Sequence, residues 1–315
     1  MTHISDIHAI KSCILGAAVG DALGLPVQFE GRDRRDTDPV TGMRGHGAFD
    51  MPAGAWSDDT SMTLCALDAL SRREFSWDAV MYNFGLWLYR DEFTPTGRSY
   101  DQGSTCIAAI GSYFAQENDA EHCGRRDERS NGNGSLMRII PFSLYAPNDR
   151  DFIEKASALT HAHMRSKIAC VIYTFILSEI LTGKGKAAVP EGVRRAKRYY
   201  FTDREWRHFE PLFAIENRSR DSIKSGGYVV DTLEAALWCL LTTDSYEECV
   251  LKAVNLGSDT DTVAAVAGGL VGALYGVESI PPEWLDTLIK REYIESLCEK
   301  ASEASAFIMH HTDCQ

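Results

Sequence analysis

Ser57-Asp58-Asp59-Thr60 and Asp259-Thr260-Asp261-Thr262 concentrate four carboxylates and several hydroxyls at two widely separated points of the chain. Each lies where a loop runs into an apolar stretch of helical period, so its carboxylates gather at the start of a helix. Ser, Thr and Asp are preferred N-caps, and acidic side chains favour the positive end of a helix. One helix start uses one cap, however, whereas each cluster supplies two carboxylates and at least one hydroxyl. No Lys or Arg lies between Gly45 and Arg72, or between Ala253 and Lys290, to neutralise the surplus. Clustered carboxylates repel one another unless a cation stands among them. Aspartate and hydroxyl oxygens are hard ligands, suited to Mg²⁺, Mn²⁺ or Ca²⁺ rather than zinc. The clusters read as two halves of one metal centre, with helix capping the plainer alternative for either alone.

Two loops add to this. Glu30 to Trp56 is long, rich in Gly and Asp and without periodicity, the mark of a functional loop in a compact domain. Asn118 to Gly134 ends in Asn131-Gly132-Asn133-Gly134-Ser135, residues that tolerate positive φ and expose backbone amides ahead of an expected helix. Such a segment can cradle a phosphate; a turn followed by an N-cap explains it as well.

The elements that must position these residues are helices. Periodicity predicts them over about 6–23, 60–72, 76–90, 101–117, 135–145, 150–161, 164–182, 190–200, 228–243, 246–256, 261–275 and 293–310, with no run of alternating strands. The fold class is therefore all-α, and no linker or repeat divides residues 1–315, which read as a single domain. The charged stretch from Lys184 to Arg220 reads as surface helices. Gly16 to Gly24 and Ala264 to Ala273 are helical in pattern but built of tiny side chains. Glycine weakens a helix, so its use here points to backbones that approach closely at the centre of the molecule.

Composition narrows the function. A formal charge of -13 argues against general binding to nucleic acid or anionic membrane. The nine cysteines show neither CxxC nor Cys/His spacing, and read as reduced thiols of a cytoplasmic protein. The N-terminus lacks the pattern of a signal peptide, and Val263 to Tyr275 is too short to span a bilayer and reads as a buried helix.

In order along the chain, the motifs Gly16-Ala17-Ala18-Val19-Gly20-Asp21-Ala22-Leu23-Gly24, Trp56 to Thr60, Asp101-Gln102-Gly103-Ser104-Thr105, Asn131 to Arg138, Thr160-His161, Tyr228 to Trp238 and Asn255 to Thr262 resemble the ADP-ribosylglycohydrolase family. The resemblance implies an all-α fold around two Mg²⁺ ions, with Mn²⁺ as a substitute, that hydrolyses the N-glycosidic bond between ADP-ribose and a modified side chain. Ser57, Asp58, Asp59, Asp259, Asp261 and Thr262 would then be metal ligands. Ser57 departs mildly from the family's usual Thr. Gln28 stands where the family commonly carries Glu, and Glu30, two residues on, does not face the same way on a helix or turn.

The resemblance also assigns further roles. Two cations lower the pKa of a shared water and hold it for attack on the anomeric carbon. Nearby carboxylates stabilise the oxocarbenium-like state, so Asp58, Asp59, Asp259 and Asp261 are both ligands and catalytic candidates. Asp101 would meet the arginine guanidinium through paired charge-assisted bonds, or else cap the helix that follows. Gly103, Ser104 and Thr105 would lie against the ribose or phosphates, and Asn131, Gly132, Asn133, Gly134 and Ser135 against the pyrophosphate at a helix start. Arg138 would be a phosphate contact or a helix-face ion pair. His161 would line the cleft or be a structural histidine, and Tyr228 would stack on adenine or belong to the core.

The expected substrate is an ADP-ribosylated protein, with ADP-ribose as product. Alternatives are O-linked ADP-ribose, on serine or as O-acetyl-ADP-ribose, and a binding protein. The latter would be an immunity factor against an ADP-ribosyltransferase toxin, acting by reversal or by physical blocking, or a structural protein on the same fold. Retention of all six candidate ligands argues against the structural protein.

Overall fold

The computed structural model describes residues 7–304. Fourteen α-helices and several 3₁₀ turns make up the described chain, and its only β pairings are isolated bridges. The helices are α1 (Ile7–Gly24), α2 (Arg32–Thr37), α3 (Asp58–Leu70), α4 (Trp77–Arg90), α5 (Ser104–Phe114), α6 (Ile140–Tyr145) and α7 (Arg150–Ala158). They continue with α8 (Met164–Glu179), α9 (Ala188–Tyr200), α10 (Val229–Leu241), α11 (Tyr246–Val254), α12 (Thr260–Tyr275), α13 (Pro282–Thr287) and α14 (Arg291–Glu303). The all-α expectation holds, and nearly all buried apolar side chains form one contiguous core.

At its centre α1 lies against α12, with α3, α11 and α14 around α1 and with α10 and α11 against α12. The small residues make this approach possible. A Cβ at Gly20 would fall 2.2 Å from the Ala264 carbonyl oxygen, and one at Gly16 would fall 2.5 Å from that of Gly268. No side chain separates these backbones, so the start of α12 is held at a fixed place beside the end of α1. Gly24 is the last link, since a Cβ there would sit 2.4 Å from the Asp261 amide nitrogen. Thr260 Oγ1 ties the same point by donating to the Gly24 carbonyl at 2.7 Å.

Burial also accounts for two apolar stretches. Ile7–Val27 and Met164–Tyr200 are long and apolar enough to cross a bilayer, but the first is 94% buried within the protein and the second 67%. The cysteines among the described residues are free and buried, as expected for structural thiols.

The structure revises several boundaries. Glu30 to Trp56 is not wholly irregular, because it contains α2 and a 3₁₀ turn at Gly47–Phe49. The helix expected from 101 starts at Ser104 with Gly103 as its N-cap. The helix expected from 135 starts only at Ile140, because the Asn133 carbonyl draws in the amides of Leu136 (2.8 Å) and Met137 (3.0 Å) to make a turn first. Lys184 to Arg220 holds α9 and then a series of 3₁₀ turns, whose Trp206, Phe209, Leu212 and Ile215 are buried. The last expected helix is seen from Arg291 to Glu303, and its continuation to 310 lies outside the described residues.

Candidate active site

Ser57 is the N-cap of α3, its hydroxyl accepting the Asp59 amide at 3.2 Å. That one side chain suffices as a cap, so Asp58 and Asp59 are surplus to it. Asp259 is the N-cap residue of α12 by position, but its carboxylate caps nothing. Instead it accepts from Asn133 Nδ2 at 2.7 Å and from Gln28 Nε2 at 3.4 Å. The two clusters meet where Thr262 Oγ1 donates to Asp59 Oδ1 at 3.3 Å.

Asp21, on α1, completes the cluster. Its Oδ2 accepts from Ser57 N (3.0 Å), Thr60 N (3.0 Å) and Thr60 Oγ1 (2.6 Å), and its Oδ1 accepts from Ser57 N (2.9 Å). Carboxylate oxygens of Asp21, Asp59 and Asp261 come within 4.8 Å of one another, all three residues being buried. Sequence reasoning quoted Asp21 within a motif but gave it no role. The available signal was an acidic residue in the middle of an otherwise apolar, small-residue helix.

The electrostatics follow from burial without counter-charge. Asp58, Asp59 and Asp261 are pushed well above the usual carboxylate range, first by burial and then by repulsion from neighbouring aspartates. Asp21 rises only to about 6, because the donors from Thr60 and Ser57 offset part of its desolvation. Both carboxylate oxygens of Asp261 are buried and receive no hydrogen-bond donor. An anion left that way costs free energy unless a proton or cation joins it. With hard oxygen donors from Asp, Ser and Thr converging on one point, the residues fit a divalent cation.

These groups open onto a cleft of about 420 Å³. Of the predicted site residues, Asp58, Asp101, Gly103, Ser104, Thr105, Gly132, Asn133, Gly134, His161, Asp259 and Thr262 line it. Ser57, Asp59 and Asp261 lie behind that lining, in the buried cluster. Gln28, Phe29, Arg129 and Ser258 also line the cleft. Gln28 is buried and leaves its Oε1 without a donor, whereas Glu30 turns away to pair with Arg35. Glu30 is therefore no substitute for the missing carboxylate.

Asp101 is held at φ +56, a left-handed conformation unusual for a residue other than glycine. It does not cap α5, whose N-cap is Gly103. Burial raises its pKa, while the neighbouring Gln28 and Asp261 side chains pull it back. His161 is neutral, its pKa lowered to about 3 by burial and by Arg138. Thr160 Oγ1 accepts from Arg138 at 2.8 Å and lies 2.9 Å from His161 Nδ1. The contact fixes the ring's orientation and leaves Nε2 as the nitrogen not bonded to Thr160.

Other predicted residues are placed differently. Ser135 is fully buried and accepts from Ser157 Oγ at 3.0 Å, and the Asn131 side chain donates to the Glu128 carbonyl at 3.0 Å. The Asn133 amide is taken by the Gly227 carbonyl at 3.0 Å. Neither Asn131 nor Ser135 is in the cleft lining, and no helix begins at Ser135 to aim a dipole at it. Arg138 is neither phosphate contact nor helix-face ion pair. It is buried over the Phe84 ring and bonded to the Ala156 carbonyl and Thr160. Tyr228 is half-buried outside the lining, its hydroxyl accepting from Arg165 at 3.3 Å.

An all-α scaffold that brings two acidic helix starts together at the base of a polar cleft defines a candidate cation-binding enzyme site. The sequence model of the ADP-ribosylglycohydrolase family matches residues 3–309, and the chain belongs to that family. It is 33% identical over 297 residues to the ADP-ribosylarginine hydrolase Tri1 of Serratia proteamaculans, covering 92% of this chain and 78% of that protein. It is 32% identical over 281 residues to the ADP-ribosyl-[dinitrogen reductase] glycohydrolase of Rhodospirillum rubrum, covering 87% and 88% of the two chains. Among solved structures, an ADP-ribosylglycohydrolase-related protein complex matches with a TM-score of 0.79 and 32% identity, covering 97% of this chain and all of the other. The protein is an enzyme, a glycohydrolase acting on ADP-ribosyl groups.

Proposed function

We propose that the enzyme removes ADP-ribose from modified arginine side chains of proteins and uses two Mg²⁺ ions, with Mn²⁺ able to replace them. The observation that carries the arginine reading is Asp101, a carboxylate held in a left-handed turn in the same cleft as Asp58 and Asp259. A guanidinium matches a carboxylate with two parallel hydrogen bonds, which a serine-linked substrate does not offer. The relatives named for ADP-ribosylarginine hydrolysis point the same way.

Ser57, Asp58, Asp59, Asp259, Asp261 and Thr262 would hold the ions, with Asp21 fixing the start of α3 behind them. When bound, the ions lower the pKa of water and supply the nucleophile. The chain's own part is to hold the scissile bond beside carboxylates. Asp58 and Asp259, at the floor of the cleft, stabilise positive charge developing on the ribose. Asp101 holds the departing guanidine in register, and neutral His161 lines the cleft as a hydrogen-bonding partner for the ADP-ribose.

Incubation of arginine-linked and serine-linked ADP-ribosyl protein with enzyme and Mg²⁺, side by side, tests this. Release of free ADP-ribose from the arginine linkage is expected, and its loss in Asp58→Ala. Release from serine alone, or no release with any divalent ion, overturns it.

A further inference from the structure

Phe29 lines the cleft yet is 70% exposed. An aromatic ring exposed at the rim of an active site offers a flat apolar face to whatever enters. Its backbone is constrained to hold it there. Phe29 has φ +70, a region that bulky residues rarely occupy. Its amide donates to the Ser258 carbonyl at 2.7 Å, and the Ser258 amide returns a bond to the Glu30 carbonyl at 2.7 Å. Ser258 also sits at φ +70, so two strained residues lock each other next to Asp259.

The ring continues a row. It meets Phe49 edge-on at 6.1 Å, and Phe49 tilts against Tyr100 at 5.4 Å. Tyr100 is anchored by its hydroxyl, which donates to the Trp56 carbonyl at 2.6 Å. The next residue is Asp101. On the other segment of chain, Gln28 precedes Phe29, donates to Asp259 at 3.4 Å and lines the same cleft as Asp101. One exposed aromatic face and one carboxylate thus issue from two segments joined by the Phe29–Phe49–Tyr100 row, and both line the cleft.

We propose that Phe29 is a specificity residue for the leaving-group end of the cleft, its ring covered by the flat face of the substrate's guanidinium while Asp101 bonds the guanidinium's edge. The inference rests on the arginine reading above. A guanidinium is planar, delocalised and weakly hydrated, so stacking on its face and hydrogen bonding in its plane are compatible. A carboxylate already favours the paired donors of a guanidinium, and an aromatic face adds selection for a flat cation. A serine-linked substrate carries no such cation and gains nothing from the ring.

The test is a comparison of wild type, Phe29→Leu and Phe29→Tyr on arginine-linked ADP-ribosyl protein, with ADP-ribose affinity measured in parallel by calorimetry. Phe29→Leu is expected to raise KM roughly three- to thirty-fold with little change in kcat, in line with the strength of such contacts. ADP-ribose affinity should stay at the wild-type value, and Phe29→Tyr should restore KM. An unchanged KM in Phe29→Leu overturns the proposal. So does a matching loss of ADP-ribose affinity, which would assign the ring to the adenosine end. Should Phe29→Leu fail to fold, inhibition of the wild type decides. Agmatine, which carries a guanidinium, should inhibit at lower concentration than 1,5-diaminopentane, whose ammonium has no flat face, and equal inhibition overturns the proposal. If wild type releases nothing from arginine, the arginine reading itself has failed, and this is seen before any variant is made.

Discussion

Asp21 and Asp261 share one buried cluster of carboxylate oxygens, yet Asp21 accepts hydrogen bonds from Ser57 and Thr60 whereas Asp261 accepts none. The first carboxylate is satisfied by the fold. The second is satisfied only by something the fold does not contain, which separates a group that builds the site from a group that serves it. Four predictions follow from this division and its surroundings.

Asp261→Asn should lower Mg²⁺-supported release of ADP-ribose by about a hundredfold or more, since even supporting groups of metal sites are worth 10–100-fold. At neutral pH the same substitution should stabilise the metal-free protein by about 1–3 kcal/mol, because the wild type must there either bury an unpaired charge or take up a proton on folding. Thermal melts with and without Mg²⁺ check both signs, and a metal-free melting temperature below that of wild type would count against an uncompensated carboxylate.

The metal-free protein should lose stability as pH rises. Asp21 has a folded pKa of about 6 against an unfolded value of 3.8, and Asp58, Asp59 and Asp261 are raised further. Between the unfolded and folded values the folded state binds more protons than the unfolded one, so stability falls as pH climbs through that window. Urea midpoints in chelator from pH 4 to 7 should decline, and saturating Mg²⁺ should abolish the decline. A metal-free midpoint that increases over this range would contradict it.

Gln28→Glu should weaken the metal-free protein by about 1–3 kcal/mol, the scale of like-charge repulsion at short range in a partly polar interior. The amide now donates to Asp259, and a carboxylate in its place would repel both Asp259 and Asp101. Added negative charge should also tighten Mg²⁺ binding. Calorimetric titration of the variant with Mg²⁺ reads the second effect, and weaker binding than wild type would refute it.

Gly24→Ala should cost about 1–3 kcal/mol or more from overpacking, because its new methyl would fall 2.4 Å from the Asp261 amide nitrogen. Activity should fall even at temperatures where the variant is folded, since the displaced backbone carries a candidate ligand. Full activity in a folded Gly24→Ala protein would show that the α1–α12 approach does not set the site.

Much of this site was legible in the sequence because its residues announce themselves locally. Ser57 to Asp59 and Asp259 to Thr262 sit at helix starts, and the surplus of charge over capping need was visible without coordinates. The helices were legible from their period, α2 and α13 excepted, each being too short to show one. Asp21 was not legible as part of the site, because its donors come from Ser57 and Thr60, which only folding brings near. The Asn131 to Ser135 segment misled for a related reason. Its Gly and Asn content signals a turn, but the sequence does not show that Asn131 and Ser135 face inward. Arg138 looked like a phosphate contact because a buried arginine served by a carbonyl and a threonine has no local signature.

The close approach of α1 and α12 has one more consequence. The α12 half of the acidic cluster is set against α1 by touching peptide backbones, Gly16 to Gly268 and Gly20 to Ala264, and the α3 half is tied to α1 through the Asp21 carboxylate. Heating lets side chains sample other rotamers, but it does not compress atoms already in contact. The gap between Asp21 and Asp261 is thus a mechanical tolerance machined into the main chain, and the long stretch between them is free to lengthen or diverge without altering it.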